Sequence, residues 1–393
     1  MRIGIDLIWL VPRFGGGMDS HVRGLLKGLA AIDRENQYVL FTTRANHNSF
    51  EALPGNFERV LFRRVDQSIV SRLFSEQIIL GWQLNRHRLD VLHSPGFTVP
   101  LLTSVPRVFT VHDLKEYALP GIYPARRLML RKYFVKTAIR HADAIISVSN
   151  FTKQDIINRF GVPDQRISVV HNAIDVCPPV VDGRWPELAQ RLGIRTDYVV
   201  AFSSRDFHKN IATLLKAFAR PGPIGHVQLV VVGDLPRNPP PLTNLAESLG
   251  MGRQVVFAGF LSESDRDQVL NHAKMLAFPS LYEGFGIILL EAMNAGVPIA
   301  CADATALPEV AGPAALYFNP LSVDDIASTI QRLLADGSLR RQLVAAGHKR
   351  ALEFSWKLSA RQTLKVYERV SRAPHATKVW CLRLGHERAK RNY

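Results

Sequence analysis

Two carboxylates and the glycines beside them are the residues of this chain best spaced to do chemistry. Glu283 and Glu291 stand eight positions apart in SLYEGFGIILLEAMNAGVP, residues 280–298, with Gly284 and Gly286 just after the first. An apolar, strand-like run at 275–278 precedes them. Ile287, Leu290, Glu291 and Asn294 then recur at helical spacing until Gly296 and Pro298 end the pattern. On this reading Glu283 sits in a strand-to-helix turn, and Glu291 lies about two turns into the helix, roughly 12 Å along its axis. Open amides at a helix start bind anions, and glycines let a ligand approach the backbone. A carboxylate on either side suits a phosphate flanked by two sugars, whose hydroxyls donate to carboxylate oxygens. By spacing alone, the pair fits equally a buried helix with one capping and one solvated glutamate.

Other residues stand where an open α/β sheet places its ligands. Arg205 and Lys209, in SSRDFHKN, follow an apolar strand at 198–203. Cations there would neutralise a diphosphate and stabilise a departing nucleotide, or else be solvated surface charges. His112 ends the strand carrying TVHD, the place of a satisfied core histidine or of a ligand contact, and Asp113 could orient the turn or the ring. The loop Arg13-Phe14-Gly15-Gly16-Gly17 lies between the first strand and the first helix, a usual phosphate position. It is not GxGxxG, which argues against a nicotinamide enzyme. Asp265-Arg266-Asp267 is formally an Asp-x-Asp metal motif. Ser264, with Asp267 three residues on, reads instead as a helix cap. A Gly-x-Ser-x-Gly elbow and a Walker lysine loop are both missing from the sequence.

These residues need a scaffold, and the alternation of patterns supplies one. Strands are expected at 2–9, 38–43, 59–63, 91–93, 105–111, 144–148 and 167–171, with helices at 20–32, 68–84, 125–141 and 151–160. A looser stretch, 177–197, reads as an interdomain connection. A second alternation follows, with strands at 198–203, 227–232, 254–257, 275–278 and 298–301. Its helices fall at 211–219, 242–249, 265–273, 323–335, 339–354 and 356–370. The pattern predicts an α/β protein with parallel sheets covered on both faces. At 393 residues, 47% hydrophobic and 21% charged, the chain has ample core for two domains. Cys177, Cys301 and Cys381 are far apart, which argues for a reducing compartment and against a zinc site or disulfide framework. The opening MRIGIDLIWLVP reads as a buried strand, since Asp6 interrupts it. The net charge of +15 points to an anionic partner. No run reaches the length of a membrane-spanning helix.

The wording LYEGFG-x4-EAM-x2-G-x-P resembles the Glu-x7-Glu signature of retaining glycosyltransferases of the family 4 type. The Arg-x3-Lys-Asn element at 205–210, HSPGF at 93–97, TVHD at 110–113 and HNAID at 171–175 match further landmarks, so the resemblance covers nearly the whole chain. It implies a GT-B fold, two doubly wound Rossmann-like domains facing across a cleft. The acceptor-binding domain would span 1–176, the linker 177–197 and the nucleotide-sugar domain 198–355. A helix at 356–372 would cross back to the first domain, and a basic tail would occupy 373–393.

The resemblance also distributes roles. Glu283 would take the donor sugar and Glu291 the ribose, with amides around Phe285, Gly286, Ile287 and Ile288 near the sugar and diphosphate. Gly16 and Gly17 would face the donor phosphates, Arg205 and Lys209 the leaving group, and His112 the sugar at the reaction centre. Departures are Ile288 where many relatives carry proline, Asp19 for Glu, and Ala173 for the glycine of HNGID. The implied enzyme is a metal-independent hexosyltransferase that uses a nucleoside-diphosphate sugar as co-substrate and no cofactor. Similarity to mannosyl-transferring members in IGID and TVHDL favours GDP-mannose over UDP-hexoses. The acceptor would be a glycan or lipid-linked glycan of surface polysaccharide synthesis, and the setting cytoplasmic. The basic helix 125–141, with Arg126, Arg127, Arg131, Lys132, Lys136 and Arg140, is either a solvated surface helix or a dock on anionic lipid at the inner face of the plasma membrane. Two rivals remain at this point: a nucleotide-sugar hydrolase or epimerase on the same scaffold, and a basic nucleic-acid-binding protein. Against the latter, the chain carries no RNP motif, zinc spacing or clear helix-turn-helix, so no nucleic-acid partner is expected.

Overall fold

Short apolar runs that cannot satisfy their backbone groups alone pair here into two fully parallel sheets. The computed structural model describes residues 1–373 apart from 12–15, 63–68, 85, 177–182, 205, 222–226, 234 and 236–239. In the first half β1 (Arg2–Asp6), β2 (Gln37–Thr43), β3 (Phe57–Phe62), β4 (Val91–Ser94), β5 (Arg107–Val111), β6 (Ala144–Ser147) and β7 (Ile167–Val169) form one sheet. Its order is β3-β2-β1-β4-β5-β6-β7. In the second half β8 (Tyr198–Ser203), β9 (Gln228–Gly233), β10 (Val255–Gly259), β11 (Met275–Phe278), β12 (Ile299–Ala302) and β13 (Ala315–Phe318) run β10-β9-β8-β11-β12-β13. Strand order reverses between β1 and β4, and again between β8 and β11, which is the doubly wound arrangement expected from the alternation. Central strands such as β6, β11 and β12 are buried along their whole length, so they read as largely apolar runs without alternation.

The elements differ from expectation where local signals were short. Residues 69–84 are not one regular helix: Ile69–Phe74 and Gly81–Leu84 flank a π-helical turn at Ser75–Leu80. Part of the stretch read as a connection is helical, Trp185–Leu192, and its Leu188 and Leu192 join the core of the second half. Pro186 at its start and Gly193 in the left-handed conformation at its end are the usual boundary pair. Helix Glu263–Asn271 begins two residues before the expected 265. Its cap is Ser262, whose hydroxyl accepts from the Asp265 amide, and not Ser264. Helix Leu307–Ala311 and the edge strand β13 carried too few residues to show a period. The basic tail from 374 on, with Cys381, lies outside the described residues, as does Cys177.

The last described helix, Trp356–Arg372, packs on the first half. Ala360, Val366, Tyr367 and Val370 belong to that half's core, and the Tyr367 hydroxyl lies 2.6 Å from His93 Nδ1. Contact with helix Gly16–Ile32 depends on two glycines one turn apart. A Cβ on Gly24 would lie 2.0 Å from the Trp356 ring, and one on Gly28 would lie 2.2 Å from the Trp356 carbonyl oxygen. Backbone cannot yield as a flexible side chain can. Gly28→Ala is therefore expected to lower unfolding free energy in guanidinium by about 1–3 kcal/mol. Gly17→Ala, with nothing within 4 Å of the added carbon, should leave it unchanged.

Candidate active site

The crevice beyond the carboxyl ends of β8 and β11 is where such a sheet binds its ligands. The two loops that leave these strands are tied together. The Leu281 amide donates to the His208 carbonyl at 2.8 Å, and Asn210 Nδ2 donates to the carbonyls of Pro279 at 3.1 Å and Pro320 at 2.8 Å. Asn210 has φ 59°, a left-handed position that Asn tolerates better than most residues. This frame sets Lys209 Nζ 2.6 Å from Glu283 Oε1, and Ser280 Oγ donates to the same oxygen at 2.6 Å. The Glu283 amide donates to Thr305 Oγ1 at 3.0 Å. Burial alone would raise the Glu283 pKa. The Lys209 ammonium and the Ser280 hydroxyl more than offset it, holding the carboxyl below its ordinary range and ionised at neutral pH.

Four residues on, helix Ile287–Asn294 begins. Its cap residue Gly286 has φ 90°, and a Cβ there would lie 2.7 Å from Leu307 Cδ2, so the position accepts only glycine. No side chain caps this helix. Its first amides, which lack intrahelical acceptors, stand at the turn that carries Glu283. Phe285 and Ile288 turn their side chains into the core, and only their backbone is available to a ligand. Because the helix starts after Gly286, Glu291 lies one turn in and not two. Its carboxylate is 3.4 Å from Arg266.

The facing wall belongs to the first half. His112 follows β5, and its Nε2–H donates to the Pro95 carbonyl at 2.9 Å, which leaves Nδ1 as the unprotonated nitrogen. Burial holds the ring's pKa below the usual histidine value, so the imidazole is neutral. His21 meets it edge to face, with centroids 4.8 Å apart. His21 stands on helix Gly16–Ile32, whose first residues, Gly16 at φ 48° and Gly17, have open space around them. The two walls touch at Gly284. A Cβ there would lie 1.7 Å from the His112 carbonyl oxygen, and the Gly284 carbonyl accepts from Ser149 Oγ at 2.7 Å and Thr152 Oγ1 at 3.2 Å. The structure thus brings Glu283, Lys209, the Gly286 helix start and His112 to one crevice, with Glu291 one helical turn away. Arg205 and residues 13–15 of the glycine loop lie outside the described residues.

Residues 15–176 match the family model described as Glycosyltransferase Family 4, and residues 186–350 match that of glycosyl transferases group 1. The chain is 31% identical over 319 residues to alpha-maltose-1-phosphate synthase of Mycolicibacterium smegmatis, covering 73% of this chain and 81% of that protein. The chain belongs to the family 4 glycosyltransferases. This glycosyltransferase is also 29% identical over 292 residues to O-antigen chain mannosyltransferase B of Escherichia coli, covering 73% of this chain and 76% of that protein. Its fold is that of Anabaena HepE in a crystal structure with UDP-glucose. The TM-score is 0.70 at 19% identity, over 94% of this chain and all of that one.

Several residues that shape the glycosyltransferase's crevice had no role assigned to them from the sequence. Ser280 and Thr305 bond Glu283, Asn210 spans two loops, and Arg266 contacts Glu291. Ser280 lies inside the motif stretch, but nothing local marks Thr305, which holds φ 56°, a strained conformation for a β-branched residue. Lys115 crosses from the first half to Asp206 at 3.2 Å. Asp265 and Asp267 are engaged by arginines, Asp265 with Arg191 at 2.7 Å and Asp267 with Arg266 at 2.9 Å. HNAID is structural: His171 pairs with Glu309 at 2.8 Å, and Asn172 bonds His21 at 2.7 Å. Ala173 needs no glycine because it is not among the described residues with positive φ.

Glu291 differs from Glu283. Burial pushes its carboxyl up to about 7; Arg266 pulls the other way, and Asp267 and Glu263 add to the rise. A carboxyl raised in the fold is least unfavourable below its unfolded pKa near 4.5, and its contribution is lost as pH rises through 7. Glu291→Gln is therefore expected to gain stability over the parent at pH 8, on the order of 2 kcal/mol, with little change at pH 5. Equal differences at the two pH values, by chemical denaturation, would show that the carboxyl is not held up.

Proposed function

We propose that this glycosyltransferase moves a mannosyl group, with retention of anomeric configuration, from GDP-mannose to a glycan or lipid-linked glycan acceptor of surface polysaccharide synthesis. The observation that carries the reading is the half-buried Lys209–Glu283 pair beside an uncapped helix start and opposite a neutral His112. An arriving diphosphate would compete for the Lys209 ammonium and take the helix amides. The Glu283 carboxylate, freed from Lys209, would then accept from sugar hydroxyls, as would His112 Nδ1. Arg205, by the family resemblance, would be a second cation at the leaving group. In the reaction the bond between the sugar C1 and the diphosphate oxygen breaks, and an acceptor hydroxyl forms the new bond from the same face. Its proton passes to the departing phosphate oxygen. Lys209 and the amides stabilise the negative charge that builds on the diphosphate, so no metal is required for that task.

Glu291 would hold the ribose. Arg266, which contacts it, is the chain neighbour of Asp265, and Asp265 lines a hollow of about 300 Å³ together with Arg191 and the exposed ring of Phe260. An aromatic rim and a carboxylate suit a purine base whose N1–H and amino group donate, which supports guanine over uracil. The mannosyltransferase relative favours the same sugar, and the HepE match, solved with UDP-glucose, makes that nucleotide sugar the comparison to run.

The test is an assay of nucleotide sugars with EDTA present, the product's anomeric configuration being read by NMR. Transfer from GDP-mannose with retention is expected, and Lys209→Ala should lower kcat on the order of a hundred-fold with a smaller change in KM. Inversion, or loss of activity restored by manganese, would sink the mechanism. Release of free sugar with no acceptor product would favour the hydrolase. Asp265→Asn should raise KM for GDP-mannose about ten-fold and leave any UDP-sugar activity unchanged; a loss common to both nucleotides would remove the guanine assignment.

A further inference from the structure

The first half carries an exposed apolar face that neither its core nor the crevice uses. In the helix that passes through the π-helical turn, Phe74, Ile78 and Trp82 recur every four residues and stand out of the fold, Trp82 61% exposed. Their neighbours Ser75, Glu76, Leu80, Gly81 and Leu84 are buried, so the stripe is the outer face of a packed element. Gln77 ties this helix to the loop beside it. Its Nε2 donates to the Val99 carbonyl at 2.9 Å, and its Oε1 accepts from the Leu101 amide at 3.2 Å. Leu102 in that loop is 67% exposed. A shallow hollow of about 270 Å³ lined by Gln77, Leu101, Leu102, Tyr133 and Phe134 continues the face onto helix Ala125–His141. There Met129, Leu130 and Tyr133 are also exposed.

Among the described residues of these two helices the exposed charge has one sign. Arg86 lies over the Trp82 ring, 3.7 Å from its centroid, and Arg126, Arg127, Lys136 and Arg140 are exposed along helix Ala125–His141. That helix contains no acidic residue. In 69–84 the one carboxyl, Glu76, is buried against Thr98, and burial followed by neighbouring Asp6 raises its pKa, which keeps it uncharged. A protein partner seated here would need to present carboxylates around an apolar centre. An anionic bilayer presents phosphates everywhere, over an apolar layer that takes large side chains, and tryptophan and tyrosine favour that boundary. Among the described residues no helix is long and apolar enough to cross a membrane.

We propose that this face docks in the headgroup layer of an anionic phospholipid bilayer, with Phe74, Ile78, Trp82, Leu102 and Tyr133 entering the acyl boundary and the flanking arginines and lysines meeting lipid phosphates. It goes beyond the proposed function and does not depend on the donor. The consequence differs from docking by charge alone: salt screens the cations, whereas the apolar insertion persists.

Cosedimentation of the full chain, without nucleotide sugar, decides it. The vesicles are neutral phosphatidylcholine, alone or with roughly a third phosphatidylglycerol, an anionic content that gives each basic residue a measurable pull. Binding to the anionic vesicles is expected, reduced but not abolished at high salt. Phe74→Ser with Trp82→Ser should remove the salt-resistant part. Arg126→Glu with Arg127→Glu should weaken low-salt binding at least about ten-fold. These positions are exposed, so melting temperature and turnover on a water-soluble acceptor should not move. Absence of binding to both vesicle types, or binding indifferent to either variant pair, overturns the proposal. So does concentration-dependent dimerisation that the serine variants abolish, which would make the face a contact between copies.

Discussion

The arrangement of this glycosyltransferase hangs on the missing side chain of Gly284. With no Cβ there, the turn after β11 reaches the carbonyl of His112, and the Ser149 and Thr152 hydroxyls take the Gly284 carbonyl in return. Other contacts between the halves extend this one. The Tyr282 hydroxyl donates to Asp155 at 2.7 Å, and Lys115 meets Asp206. The Glu309 carboxylate accepts from the amides of Asn150 at 2.8 Å and Phe151 at 3.0 Å, so a residue of the second half caps a helix of the first. A larger residue at 284 would separate His112 from Glu283, however well each half folded.

Within that frame, two glutamates of one motif are set to different charges by their surroundings. Both are buried. Glu283 has an ammonium and a hydroxyl on one oxygen and stays ionised. Glu291 has only a long contact to Arg266, which Asp267 shares, and one further carboxylate, Glu263, nearby. A polar ligand that donates to Glu291 would therefore bind better as its proton leaves, whereas Glu283 is ready throughout the physiological range.

Much of this could be read from the chain. Strands such as β1, β8 and β11 are apolar runs bounded by polar loops, and Gly284, Gly286 and Glu283 announce a turn by their chemistry. What escaped was set by partners far away in sequence. Thr305 faces Glu283 across 22 positions, and Arg266 reaches Glu291 across 25; nothing local points either residue to its glutamate. β13 has four residues at a sheet edge, and Leu307–Ala311 barely completes a turn, so periodicity could not reveal them. Trp185–Leu192 was legible from Pro186, the Leu188/Leu192 spacing and Gly193, but prolines earlier in the stretch masked it. The cap of Glu263–Asn271 was misplaced because Ser262 and Ser264 offer the same hydroxyl, and only tertiary packing chooses between them.

The returning helix Trp356–Arg372 makes the first half discontinuous along the chain. Its core is closed by residues that are translated after the whole second half. A nascent chain therefore cannot finish its first sheet's packing before the second has emerged, and the intervening half can fold as one inserted block. The same seam bears on how such enzymes diversify. Replacing the middle block between relatives preserves both pieces of the outer half, provided the new block delivers Trp356 opposite Gly24 and Gly28. Exchange of the front half alone would pair one lineage's glycine helix with another's returning helix, where a single methyl group meets backbone.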